Sequence, residues 1–285
     1  MNRHIKEIER NKKFYKNRIY DPINNPEQFK FYPNIRGINK TPFKVLEYRG
    51  ASDCSVEFLD EYHYIIKHTK IYTIEINGVR NPYQKTIFNV GYIGEIDKNK
   101  YPAKDSNKSY RIWKGILDRC YNPKTKSKYY LDNISVSKSW LCYANFIPWF
   151  ERNYFQLGNY EMHIDKDILG NMKYSSKYCV FVPKEINMSL IGKKNDDEIQ
   201  LYYIKKSKKY RATVSRKFLY NDRIMKEFNN KENAIKWYKN KINIYLKELA
   251  NLFKNEFINQ YGIKSYENND YRFKEVIERI SNWYK

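Results

Sequence analysis

From Phe43 onward apolar and polar residues alternate with a period of two. "FKVLEYR" (43–49) and "CSVEFLD" (54–60) flank the turn-like "GASD", and "KIYTIEI" (70–76) carries the alternation to Asn77-Gly78. This pattern predicts short half-buried strands joined by turns, and "NPYQKTIFNVGYIG" (81–94) extends it. The period then changes. In "SYRIWKGILDRCY" (109–121), Tyr110, Trp113, Ile116 or Leu117, and Cys120 share one face, which predicts a helix that Ser109 can cap. A short strand is expected in "ISVSKSW" (134–140), and a second aromatic-rich helix, turned or kinked at Pro148, in "WLCYANFIPWFERNYF" (140–155).

Strand periodicity returns in "YRATVSRK" (210–217), with Tyr210, Ala212 and Val214 on one face and Arg211, Thr213 and Ser215 on the other. A long run from Asn229 to Phe257 repeats apolar residues at i and i+3/i+4, and "FKEVIERISNWY" (273–284) predicts one more helix. A three-stranded sheet with one helix across its back would bury both apolar faces. The fold class read from these elements is α+β and modular. A charged arm (1–33) precedes a small β domain (34–97), and the polar stretch 97–108 reads as a linker. A central module (108–192) and a C-terminal unit (196–285) follow.

Charge narrows the function. The chain has 285 residues, with 54 Lys and Arg against 32 Asp and Glu, a net charge of +22. An AT-rich coding sequence inflates lysine but does not deplete Asp and Glu, so a polyanionic partner is indicated, and double-stranded DNA fits best. RNA fits less well, because strand-borne readers suit the B-form major groove. Hydrophobic residues make up 41% and aromatics 17%, enough for real cores. No apolar run is long enough to span a membrane and the N-terminus has no apolar signal core, so a cytoplasmic protein is expected. Cys54, Cys120, Cys142 and Cys179 form no zinc-type pair, and no glycine-rich phosphate loop is present; neither zinc nor a nucleotide cofactor is expected.

Candidate chemistry concentrates in "YEMHIDKDILGNMKYSSKYCVFVPKEIN" (160–187). "YEMHID" predicts a strand, "YCVFV" a returning strand, and "PKEINMSLI" a helix opened by proline with Asn187 in its first turns. His163, Asp165, Asp167 and Asn187 would then be able to converge. Their hard oxygen donors favour Mg²⁺ or Mn²⁺ over zinc. His163 taken alone is more commonly a surface histidine, and Asp165 and Asp167 solvated turn residues. Trp113, Trp140, Trp149 and Phe150 read as core, and His63 and His68 as incidental.

"YRIWKGILDRCYNP", "VSKSWLCYANFIPWFE" and "HIDKDILGNMKYSSKYCVFVPKEIN" resemble the HNH-type (His-Me finger) homing-endonuclease-like proteins of bacteriophages. The resemblance implies a ββα-metal module in which His163 is the general base and Asn187 a helix-borne metal ligand, with Asp165 or Asp167 as further ligands. Those proteins carry Asp or His directly before the base, where this chain has Met162. "KKYRATVSRKF" and the long helix after it resemble the Apetala-type (ethylene-response-factor-like) DNA-binding domain. That resemblance implies that the sheet enters the major groove with Arg211, Thr213, Arg216, Lys217 and Arg223 as contacts. The N-terminal β unit is also similar to the leading domain of these phage proteins. Together these imply a phage-encoded, metal-dependent DNA endonuclease, expected as a monomer. The alternative is a non-catalytic DNA-binding phage protein, a regulator or anti-defence factor, on the same scaffold.

Overall fold

The computed structural model describes residues 3–30, 39–125, 134–170, 172–190 and 201–284. The expected boundaries at 34, Gly192 and 196 lie outside the described residues. Contacts group the chain into two compact units, residues 1–125 with 138–146, and 126–137 with 147–285. The stretch 108–192, expected as one module, is therefore shared between them. Both units mix helices with small sheets, as the α+β reading anticipates.

The first unit holds a four-stranded antiparallel sheet in sequential order: β1 (Ile19–Tyr20), β2 (Phe43–Gly50), β3 (Asp53–Phe58) and β4 (Ile65–Thr69). Its core is Tyr20, Phe43, Val45, Val56 and Phe58, the inward positions of the alternating pattern. The charged N-terminal segment is part of this unit rather than an arm. Helix α1 (Arg3–Tyr15) packs on β2, and Tyr15 stacks on Tyr48 at 5.2 Å. Two strand expectations are corrected here. Residues Ile71–Glu75 form a short helix, α2, because β4 already occupies the sheet edge and one helical turn brings Ile71 and Ile74 together onto the core. Residues 81–94 are mostly turns, with left-handed Phe88 and Asn89 and two isolated bridges, Ile87–Gly91 and Tyr92–Cys142, in place of a strand.

Helix α3 (Lys108–Tyr121) buries Tyr110, Trp113, Ile116, Leu117 and Cys120. Its cap is Asn107, whose side chain accepts the Tyr110 N–H; Ser109 is inside the helix, and its hydroxyl bonds that of Tyr143 at 2.6 Å. The Trp113 indole donates to the Trp140 carbonyl at 2.7 Å. All four cysteines are buried.

In the second unit β5 (Ser135–Val136) pairs in parallel with β7 (Lys173–Tyr174). Helix α4 (Tyr143–Asn153) contains Pro148, and its second half contributes to this unit. Strand β6 (Met162–Asp165) pairs antiparallel with β8 (Val180–Pro183), and α5 (Lys184–Leu190) follows at once. Phe181 on β8 is fully buried against the rings of Trp149, Phe150 and Tyr154, which fixes the hairpin on α4.

The C-terminal sheet has the order β11 (Arg223–Phe228), β10 (Lys209–Ser215), β9 (Leu201–Ile204), with a short helix α6 (Lys217–Tyr220) before β11. Helix α7 (Lys231–Tyr261) crosses its back, burying Ala234, Tyr238 and Ile242 on the side where Ala212 and Val214 are buried. Asn230 caps α7 through the Asn233 N–H at 2.8 Å, and Gly262, at φ +87°, ends it. The far half of α7 packs on α9 (Phe273–Ser281), with α8 (Ile263–Glu267) between them in the chain. No described helix is long and apolar enough to cross a membrane.

Candidate functional site

The β6–β8 register opposes His163 to Val182 and Met162 to Pro183. Lys184 at the start of α5 thereby sits beside Glu161, to whose carbonyl its N–H donates at 2.8 Å. The next turn of α5 carries Asn187 back to β6. Its side-chain nitrogen lies 3.2 Å from His163 Nδ1, and Glu161 Oε1 lies 3.2 Å from Nε2. One neutral tautomer satisfies both contacts: Nε2–H donates to Glu161, and Nδ1 accepts from the Asn187 amide. That tautomer leaves the basic lone pair on Nδ1. The imidazole is 29% exposed, so water reaches it. Glu161 also binds Lys184 Nζ at 2.7 Å. The Lys184 and His163 hydrogen bonds hold the Glu161 carboxyl below its ordinary range, and Glu161 raises Lys184 in return. A carboxylate kept ionised here orients the ring through Nε2.

The structure brings His163 to Asn187, and does not bring Asp165 and Asp167 to His163, whose polar partners among the described residues are Glu161 and Asn187. Asp165 is only 7% exposed, and its Oδ1 accepts the backbone N–H of Asp167 at 2.8 Å and of Ile168 at 2.7 Å. It organises the turn that leaves β6. Burial, with a smaller push from Asp167, raises its carboxyl above the ordinary range. Asp167 takes the Nζ of Lys166 at 2.8 Å, and that lysine is 1% exposed with its ammonium 5.7 Å from the Tyr174 ring centre. Among the described residues no three His, Cys, Asp or Glu side chains are grouped for a metal.

A divalent cation at this place would have to rest on the donors around His163. The Asn187 amide oxygen and the ionised Glu161 carboxylate are hard donors beside an imidazole. They meet opposite nitrogens of the His163 ring and Glu161 already holds Lys184, so this set would hold a hydrated Mg²⁺ through one member and not through both. The aspartates named from the sequence are not part of it. Glu161 and Lys184 escaped the sequence reading. Glu161 stands two residues before His163 on the same strand face, but only the β6–β8 register sets Lys184 against it.

On the C-terminal sheet the open face is built by cross-strand rows. Tyr202, Arg211 and Glu227 form one, Thr213 and Met225 the next, Ser215 and Arg223 the third. Tyr202 is 67% and Met225 62% exposed. Arg211 is paired with Glu227 at 2.7 Å, and Arg216 binds Asp222 through two contacts, which raises the guanidinium pKa. Arg223 and Lys217 make no ion pair with a described residue. The five nominated residues thus differ: two are internally neutralised, Thr213 lies at the centre of the face, and Lys217 and Arg223 keep their charge unmatched. Comparison of the chain with protein-family models, with curated proteins and with solved structures gives no match.

Proposed function

We propose that the chain is a DNA-binding endonuclease that hydrolyses phosphodiester bonds with His163 as general base. The observation that carries this reading is the contact of His163, on the first strand of an antiparallel pair, with Asn187, on the helix that follows the second strand. With the Asn187 amide turned to present its oxygen to a cation, the freed Nδ1 of His163 takes the proton from an attacking water, while Glu161 holds Nε2–H and stabilises the imidazolium that forms. A divalent ion, Mg²⁺ or Mn²⁺, resting on Asn187, water and the substrate phosphate would supply positive charge for the departing 3′ oxygen. The open face of the C-terminal sheet takes duplex DNA, with Lys217 and Arg223 on phosphates and Thr213 and Tyr202 nearer the bases. The net charge of +22 supports a polyanionic partner.

The test incubates the full chain and His163→Ala with supercoiled plasmid and phage DNA, with Mg²⁺, with Mn²⁺ and with chelator. Cation-dependent nicking that falls roughly 10²–10⁴-fold in the variant is expected. Nicking that survives the substitution overturns the role of His163. A second reading, a non-catalytic DNA-binding protein, is favoured by the commitment of Asp165 to the turn and of Asp167 to Lys166. It predicts salt-sensitive DNA binding, equal in both proteins, without nicking.

A further inference from the structure

The back of the C-terminal sheet carries a second basic surface. Alternation along edge strand β11 sends Glu227 to the open face and Lys226 and Phe228 to the helix side. On α7, Lys236, Trp237, Asn240 and Lys241 fall within about one turn of one another and face β11 across a groove of about 490 Å³. Among the described residues no carboxylate lines the groove, and Lys226, Lys236 and Lys241 form no ion pair. Its floor is aromatic: Phe228 and Trp237 lie 5.9 Å apart at 52°, both half-buried, and Lys226 Nζ stands 5.6 Å from the Phe228 ring centre. The Trp237 indole N–H makes no hydrogen bond to a described residue.

We infer that this groove binds an unpaired nucleotide of a single DNA strand, its base against Trp237 and its flanking phosphates on Lys226, Lys236 and Lys241. Three cations without carboxylates select a polyanion. A partly exposed indole between them selects a π-face, which a base paired inside a duplex cannot offer. A cationic groove combined with an aromatic platform is how single strands are held without reading sequence. The inference rests on the nucleic-acid reading above but not on cleavage. The groove lies on the opposite side of the sheet from Arg211, Thr213 and Arg223, so the two surfaces respond to different substitutions.

Fluorescence anisotropy of the full chain with labelled oligothymidylate and with a labelled duplex, in chelator, tests this. Trp237→Ala is expected to weaken oligothymidylate binding roughly tenfold and Trp237→Phe much less, with duplex binding unchanged in both. Changing Lys226, Lys236 and Lys241 together to Gln is expected to lower the salt slope for the single strand by about 0.7 per lost contact. These lysines are exposed or half-exposed, so that variant keeps its fold, which circular dichroism checks independently of Trp237. Single-strand binding unaffected by the triple change overturns the inference, as does equal loss for single strand and duplex. Displacement of the oligonucleotide by poly-glutamate as readily as by oligothymidylate assigns the groove to an acidic polypeptide and also overturns it. If duplex binding persists and only the groove variants are silent, the groove alone fails. If neither DNA form binds, the nucleic-acid reading fails with it.

Discussion

Replacing Asp165 separates a turn-forming carboxylate from a metal ligand. Its Oδ1 accepts two backbone N–H groups, from Asp167 at 2.8 Å and Ile168 at 2.7 Å, and the residue is almost wholly buried. Asp165→Ala removes the one acceptor that serves both N–H groups. A buried donor left without a partner costs about 1–3 kcal/mol. Ile168 is buried, whereas Asp167 is partly exposed and its N–H is more open to water. The expected loss is therefore about 2–3 kcal/mol, or roughly 4–12 °C in Tm for a unit of this size. Asp165→Asn keeps an oxygen in place and is expected to cost less than about 1 kcal/mol.

The pH dependence has a definite sign. Burial raises the folded carboxyl pKa above the unfolded one, so the folded state holds this proton more tightly. The resulting contribution to stability is present at acid pH, declines as pH rises from the ordinary carboxylate range through the raised folded value, and is absent above it. Asn lacks this titration. Stability of Asp165→Asn relative to the parent is expected to improve as pH rises through that window. Urea unfolding followed by circular dichroism, at acid and at neutral pH, measures all three proteins. Equal stability of Asp165→Ala and the parent would refute the turn argument, as would equal losses in Ala and Asn variants. A Mg²⁺-dependent stabilisation of the parent that vanishes in Asp165→Asn would restore the aspartate as a ligand.

Glu161→Gln should reduce cleavage roughly 10–100-fold while DNA affinity is retained, read from single-turnover nicking, because an amide orients His163 without stabilising its cation. Arg223→Ala and Lys217→Ala should each weaken duplex binding and lower the salt slope by about 0.9, whereas Glu227→Gln should strengthen binding by releasing Arg211; filter binding across a salt series checks the three together. Asn230→Ala removes the cap of α7 and should cost about 1 kcal/mol in urea unfolding, with no change in the spectrum of the folded protein.

Much of the site's frame was legible along the chain. Alternation placed strands at 43–49, 54–60 and 210–215, the runs "YEMHID" and "YCVFV" placed the hairpin, and the i, i+3/i+4 repeat placed α3 and α7, because those patterns report which residues share a face. The strand, returning strand and helix order around His163 likewise placed Asn187 near it. Partners were not legible, since a period names a face and not what covers it. The segment 1–33 reads as a charged arm, helical or mobile, yet β2 supplies the neighbour on which α1 and β1 settle. "KIYTIEI" has a strand's alternation, but β4 fills the edge it would have joined.

The aspartates show the same division. Two carboxylates after a strand suit a cation or a turn equally well by sequence alone. The path of the next three residues decided it, by bringing two amide N–H groups onto Asp165 and a buried ammonium onto Asp167. Composition alone determined that the chain is strongly cationic. Only the tertiary structure determined which cations are spent on neighbours, Arg211 on Glu227 and Arg216 on Asp222, and which remain unmatched. An ion pair depends on distances across strands and turns that no linear pattern records.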